Sequence, residues 1–200
     1  MPLMNKCLSG SAMLLLTGLL ACGGGGGGSS PQPPPPPPAA TGLAYTDPAS
    51  GTYRLVKNAS SSGSHLVLDL VGPSAGTAMG VAITLNADSA KVAWVDVPPG
   101  GTTAVLMQNG TQFTLGSGTP IQKAKVAGGV LQATVAQKAP TAPASLNGTL
   151  LRIALDLKPG LGLAQGTAIS LQYSVTGCEV LDGANNLSSI PISVGTLTAQ

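Results

Sequence analysis

The run from Thr149 to Leu157 constrains this chain most. Leu151, Ile153, Leu155 and Leu157 alternate with Leu150, Arg152, Ala154 and Asp156, and Pro159 with Gly160 follows as a stop. A period of two places one set of side chains on a single face of an extended strand, so the segment is a half-buried β-strand. His65 to Val71 repeats the device with Leu66, Leu68 and Leu70, and Met79 to Leu85 does so with Val81, Ile83 and Leu85.

The remaining segments read the same way. Tyr53 to Val56 and Lys91 to Val97 are strands, with Asn86 to Ser89 as a turn before the latter. Ala104 to Gln108 and Thr111 to Leu115 are expected to form a hairpin through Asn109-Gly110, a pair that accepts positive φ. Between Ile121 and Ala139 the alanines and lysines suggest a helix, but Gly128-Gly129 at its centre would cost about 1 kcal/mol each relative to alanine. Two strands meeting at the glycines account for it better. Ala139 to Asn147, with Pro140 and Pro143, is a loop; Thr167 to Val175 and Ile190 to Leu197 complete the set, with Asp182 to Asn186 as a turn between them. About ten short strands and no convincing helix predict an all-β antiparallel sandwich or jelly roll.

A different kind of segment precedes the strands. Lys6 and the apolar run Ala12 to Ala21 form a signal-peptide layout, too short for the roughly 20 apolar residues of a permanent span. Leu19, Leu20, Ala21 and Cys22 resemble the lipobox of bacterial lipoproteins, which implies diacylation of the Cys22 thiol and cleavage after Ala21. Two or three acyl chains, at about 0.8 kcal/mol per buried methylene, make a lasting anchor. In double-membraned bacteria an Asp after the cysteine often retains a lipoprotein at the inner membrane; Gly23 stands there, which implies the outer membrane. Gly23 to Gly28, Ser29-Ser30 and Pro33 to Pro38 then form a soft hinge followed by a stiff polyproline spacer, expected to be disordered. The expected organisation is a signal peptide over 1–21, a lipidated cysteine and tether over 22–44, and one domain over 45–200.

Charge and chemistry narrow the function. Formal net charge is +2 and only 8% of residues are charged, so no basic face for nucleic acid is implied. Cys7 leaves with the signal and Cys22 is the lipid site, leaving Cys178 without a partner for a disulfide and best placed as a buried small hydrophobe. The single histidine, His65, fits a strand rim, and no nucleophile, base and orienting group stand in a recognisable context, so no enzyme is expected. The acids Asp47, Asp69, Asp88, Asp96, Asp156, Glu179 and Asp182 fall mostly at strand edges and turns. A calcium ion at Asp182 to Asn186 would need a ligand spacing that the segment lacks, so no metal or cofactor is expected. Sugar-binding surfaces normally use exposed rings; with aromatic residues at 2%, Trp94 and Tyr173 are the candidates for contacting a ligand, although Trp94 also suits a core position.

The order of features resembles the cohesin family: Gly80 to Leu85 followed by Asp88 and Lys91-Val92, then Gly148 to Leu155, a strand reached through Gly166, a loop with Asp182-Gly183 and a closing strand. The similarity spans roughly Gly51 to Thr198. It implies a jelly-roll β-sandwich of about nine strands, like that of several carbohydrate-binding modules, and binding to dockerin-type proteins or glycans rather than catalysis. The expected function is a non-catalytic, membrane-anchored lipoprotein displaying a cohesin-like domain for protein or carbohydrate recognition. The alternative is a structural accessory of an envelope assembly such as a secretion system or pilus. Replacing Cys22 with alanine is expected to abolish incorporation of labelled fatty acid and to release the protein from membranes; continued membrane partition of Cys22→Ala would contradict the lipobox assignment.

Overall fold

The structure, a computed structural model, describes residues 33–100, 105–113, 121–137 and 142–200, with one compact body over Pro36–Gln200. No helix occurs among the described residues. The first strands are β1 (Leu43–Thr46), β2 (Tyr53–Lys57), β3 (His65–Val71), β4 (Thr77–Ala78), β5 (Gly80–Ala87), β6 (Val92–Val95) and β7 (Met107–Asn109). The middle of the chain gives β8 (Ile121–Ala127), β9 (Val130–Ala136), β10 (Ala144–Ser145) and β11 (Thr149–Leu157). The last are β12 (Ala168–Ile169), β13 (Leu171–Tyr173), β14 (Glu179–Leu181), β15 (Leu187–Ser189), β16 (Ile192–Ser193) and β17 (Thr196–Ala199).

Two larger sheets carry the architecture. The first has the order β16-β2-β3-β11-β6, with β7 continuing along β11 beyond β6; the second has the order β15-β14-β5-β9-β8, with β13 continuing along β5. A smaller β1-β17-β12 sheet and the β4-β10 pair complete the body. Among the described residues every strand pairing is antiparallel except β16 with β2. The β8–β9 hairpin turns at Gly128-Gly129, and Gly128 takes φ 60°, a conformation that favours glycine.

The alternation seen in the sequence becomes the core. On the first sheet Leu66, Leu68 and Leu70 stand opposite Leu155, Ile153 and Leu151; on the second Val81, Ile83 and Leu85 stand opposite Val135, Ala133 and Leu131. All are buried, and the two inner faces form one apolar interior. Each large side chain there contributes about 1.5 to 3 kcal/mol. Leu150, on the outward set by strict alternation, is buried too, because the register shifts between Thr149 and Leu151 and turns the side chain inward.

Three expected strands are arranged differently. Asn109-Gly110 is not a hairpin turn: the Gly110 and Thr111 amides donate to Leu150 and Thr149 carbonyls, so the chain continues beside β11. Thr111 to Phe113 is not strand, and the rest of that expected segment lies outside the described residues. The run Thr167 to Val175 is cut at Ser170, where the chain passes from the third sheet to the second, and Ile190 to Leu197 is cut between β16 and β17 for the same reason.

The residues before β1 belong to the body. Gln165 N–H donates to the Pro38 carbonyl at 3.1 Å, Ala40 N–H to Leu163 at 2.7 Å, and the Thr41 and Gly42 amides to Gln200. Tyr45 fastens β1: its hydroxyl donates to the Leu55 carbonyl at 3.0 Å and accepts from Gly195 N–H at 2.7 Å.

Burial pushes the Tyr45 phenol from its ordinary 10.0 up to about 12. The folded state thus keeps a proton that the unfolded chain releases, so this contribution is whole below about pH 10 and is lost as pH rises toward 12. Urea unfolding at stepped pH is expected to show that decline, and Tyr45→Phe, less stable at neutral pH, is expected to flatten it.

Candidate interaction surface

The two sheets treat their outward faces differently. On the first sheet Arg152 Nε donates to Asp69 Oδ1 at 2.6 Å, and Asn58 Nδ2 donates to Asp69 Oδ2 at 2.7 Å. His65 Nδ1 stands 2.6 Å from Asp156 Oδ1 and its Nε2 3.0 Å from the Val97 carbonyl. Val97 packs over Val67 and Ala154, both 1% exposed, in a small apolar cluster outside the main core. The loop carrying Val97 is held at its neck by Val97 N–H to Val105 O at 2.9 Å and Val105 N–H to Asp96 Oδ1 at 2.8 Å. This face is closed by charge pairs and a covering loop.

Among the described residues, no ion pair closes the outward face of the second sheet. Its outward residues come from the intervening positions of the same alternating runs: Ala82, Thr84 and Asn86 on β5, Gln132 and Thr134 on β9, Lys123 and Lys125 on β8, Glu179 and Leu181 on β14. The register aligns them in rows, Glu179–Ala82–Thr134–Lys123 and Thr84–Gln132–Lys125. The middle of each row is small or polar. Large exposed apolar side chains rim the face: Ile121 (46%) starts β8, Leu187 (64%) starts β15, and Val175 (73%) lies in the loop between β13 and β14. That loop interrupts the strand beside β5, and Thr84 bridges the gap. Its carbonyl accepts from Ser174 N–H at 2.8 Å, its hydroxyl donates to Gly177 at 3.2 Å, and its N–H points at Cys178 Sγ at 3.3 Å. Cys178 is buried as the sequence suggested, and burial raises its thiol pKa, which keeps it a neutral packing group.

The residues singled out from sequence fall elsewhere. Trp94 pairs with Leu155 in β6, faces the core at 8% exposure, and donates its indole N–H to Gly129 O at 2.7 Å. Tyr173 pairs with Leu85, is half-buried and packs against the core. The structure does not bring the two together on the open face, and neither ring is laid out as a stacking platform. His65 does start a strand at the rim. Leu19, Leu20, Ala21 and Cys22 lie outside the described residues. The open face itself carried a legible signal that went unused: the small residues Gly80, Ala82 and Thr84 between Val81, Ile83 and Leu85.

At the Asp182 turn the carboxylate is occupied by the chain. Oδ1 accepts from the Ala184 and Asn186 amides, both at 2.8 Å, and Oδ2 from Asn186 Nδ2 at 3.0 Å. These donors, the Asn186 amide first, hold the Asp182 carboxyl below its ordinary range. Turn chemistry therefore accounts for the segment without an ion, and no three His, Cys, Asp or Glu residues converge among the described residues.

No protein-family model matches the chain, and no curated protein sequence matches it. Solved structures do. A type II cohesin domain from the cellulosome of Acetivibrio cellulolyticus superposes with a TM-score of 0.54 at 14% identity, over 74% of this chain and 94% of that one. The fold is the cohesin jelly roll. The sixth cohesin of scaffoldin B of the same organism, solved in complex with a Cel5 dockerin mutant, gives 0.51 at 17% identity over 74% of this chain and 97% of that one. A type II cohesin dyad from its ScaA scaffoldin gives 0.53 at 15% identity, over 74% and 48%.

A metal chelator is expected to leave the melting temperature within about 1 °C of the untreated protein; a fall of more than about 5 °C would reveal a bound ion that stabilises the fold.

Proposed function

We propose that this chain is a non-catalytic recognition module, lipid-anchored through Cys22 to the bacterial envelope at the outer membrane, whose open sheet docks a folded protein of dockerin type. The observation that carries this is the asymmetry of the sandwich. One face is closed by Asp69–Arg152, His65–Asp156 and the Val97 loop, whereas the other presents small residues within an apolar rim of Ile121, Val175 and Leu187. Exposed apolar side chains at the borders of a low, flat centre suit a protein contact. The cohesin neighbour solved with a dockerin supports the same class of partner.

Glycan recognition has less support, since Trp94 and Tyr173 have core-facing registers and the outward positions of β5, β8, β9 and β14 hold no aromatic ring. Strand pairing within an envelope assembly would use the sheet edges. Lys123 and Lys125 on β8 and the brevity of β15 oppose it. Catalysis has no support either: the histidine ties β3 to β11 and to the covering loop, and the thiol is buried.

Titrating the chain with dockerin modules encoded by the same bacterium is expected to give saturable binding. Ala82→Arg, at the middle of the open face, is expected to weaken it at least about a hundredfold, while Ala49→Arg on an exposed loop leaves it unchanged. Equal affinity of the two variants would refute the assignment of this face.

A further inference from the structure

We propose that a second copy of this chain covers the open face when no partner is bound, forming a two-fold dimer whose axis runs along the strands between β5 and β9. The inference rests on the assignment of that face as the contact surface and goes further, because the face is complementary to itself. In the row Glu179–Ala82–Thr134–Lys123 the outward side chains stand on adjacent strands. At about 4.8 Å per strand, Glu179 on β14 and Lys123 on the edge strand β8 are about 14 Å apart, with β15 lying beyond Glu179. Neither takes part in an ion pair among the described residues, whose three pairs are His65–Asp156, Lys91–Asp88 and Arg152–Asp69.

Symmetry does the rest. Two sheets packed face to face in a closed dimer are related by a two-fold axis lying in the interface. An axis parallel to the strands reverses the order of each row, so Glu179 of the second copy lies over Lys123, Thr134 over Ala82, and the reverse. The neighbouring row, Leu181–Gly80–Ala136–Ile121, places Leu181 over Ile121. An axis across the strands and through this row instead sets Glu179 over Glu179 and Lys123 over Lys123, which is repulsive. The charges therefore select one packing, and the small central residues let the sheets approach to the usual 10 Å or so.

The extent of the face sets the strength. Four strands about 19 Å across and about 27 Å along β5 bury about 500 Å² per copy, near the lower limit for a specific contact. The dimer is accordingly weak, concentration-dependent and displaced by any partner that binds the same face more tightly.

Sedimentation velocity of the full mature chain carrying Cys22→Ala, which keeps micelles out of the measurement, tests this. A monomer–dimer equilibrium is expected. Glu179→Lys and Lys123→Glu are each expected to raise its dissociation constant about tenfold, and the double variant to restore it to within about threefold of the starting chain. Mixing a Glu179→Cys chain with a Lys123→Cys chain and treating with a short bismaleimide linker is expected to give a cross-linked pair that neither chain gives alone, a readout independent of the charge series. The linker is needed because sheets packed about 10 Å apart hold the two cysteines beyond the reach of a direct disulfide. Monomer at every concentration up to about 1 mM, a double variant no tighter than the single ones, or no cross-linked pair on mixing would overturn the inference. If the chain stays monomeric yet binds dockerin through the Ala82 face, the dimer falls and the recognition function stands. If the charge-swapped dimer forms and no dockerin binds, the dimer stands and the recognition function falls.

Discussion

The structure depends on two sheets burying each other through side chains that are almost wholly aliphatic. Leu66, Leu68 and Leu70 with Leu151, Ile153 and Leu155 on one inner face meet Val81, Ile83 and Leu85 with Leu131, Ala133 and Val135 on the other. With aromatic residues at 2%, few rings are available: Tyr45, Tyr53, Trp94 and Phe113 are all buried, and the rest of the fit must come from many branched side chains in a strict two-residue period. That period has a second consequence. Each residue committed inward leaves its neighbours outward, so the core pattern also writes the composition of both outer faces.

The chain resolves those faces in opposite ways. On β3 and β11 the outward set includes Val67, Asp69, Arg152 and Ala154, too apolar and too highly charged to stand open side by side. Asp69 takes three donated hydrogen bonds from Arg152 and Asn58, which satisfies a carboxylate only 8% exposed. Val97, brought back over the sheet by the loop after β6, covers the two apolar residues. On β5 and β9 the outward set is Ala82, Thr84, Gln132 and Thr134, short enough to leave in water without a cover. A surface that needs no cover for its own sake is free to receive one from outside.

Much of this was legible in the sequence, and the limits are physical. β3 and β11 match their expected bounds because each alternates without interruption between clear stop signals. The β8–β9 hairpin was legible because paired glycines outweigh a helical composition. Asn109-Gly110 misled because the same dipeptide serves two ends. Gly110 stands there for close approach, since a Cβ would lie 2.0 Å from the Thr149 carbonyl oxygen. The burial of Val67 and Ala154 depends on a residue about 30 positions from one and more than 50 from the other in sequence, and Leu150 on a register shift. Neither leaves a trace in local periodicity. Trp94 and Tyr173 drew notice as aromatic residues, but their direction follows from their partners Leu155 and Leu85 across the strand, which sequence alone does not supply.

The same register fixes how the open face lies relative to the start of the body. Pro38 to Gly42 bond to Leu163, Gln165 and Gln200, and Leu43 N–H donates to Gly63, the turn that leads into β3. β11 ends beside it, with Leu157 N–H donating to Ser64, and Trp94 links β6 to the Gly128-Gly129 turn of the second sheet. These turns therefore gather at one end, and the Asp182 turn and the first residues of β5 lie at the other, since Leu181 pairs with Gly80. The rows of Ala82 and Thr84 run between the two ends, alongside the body rather than beneath it. A partner that reaches these rows therefore meets the second sheet broadside, away from the closed face of the first.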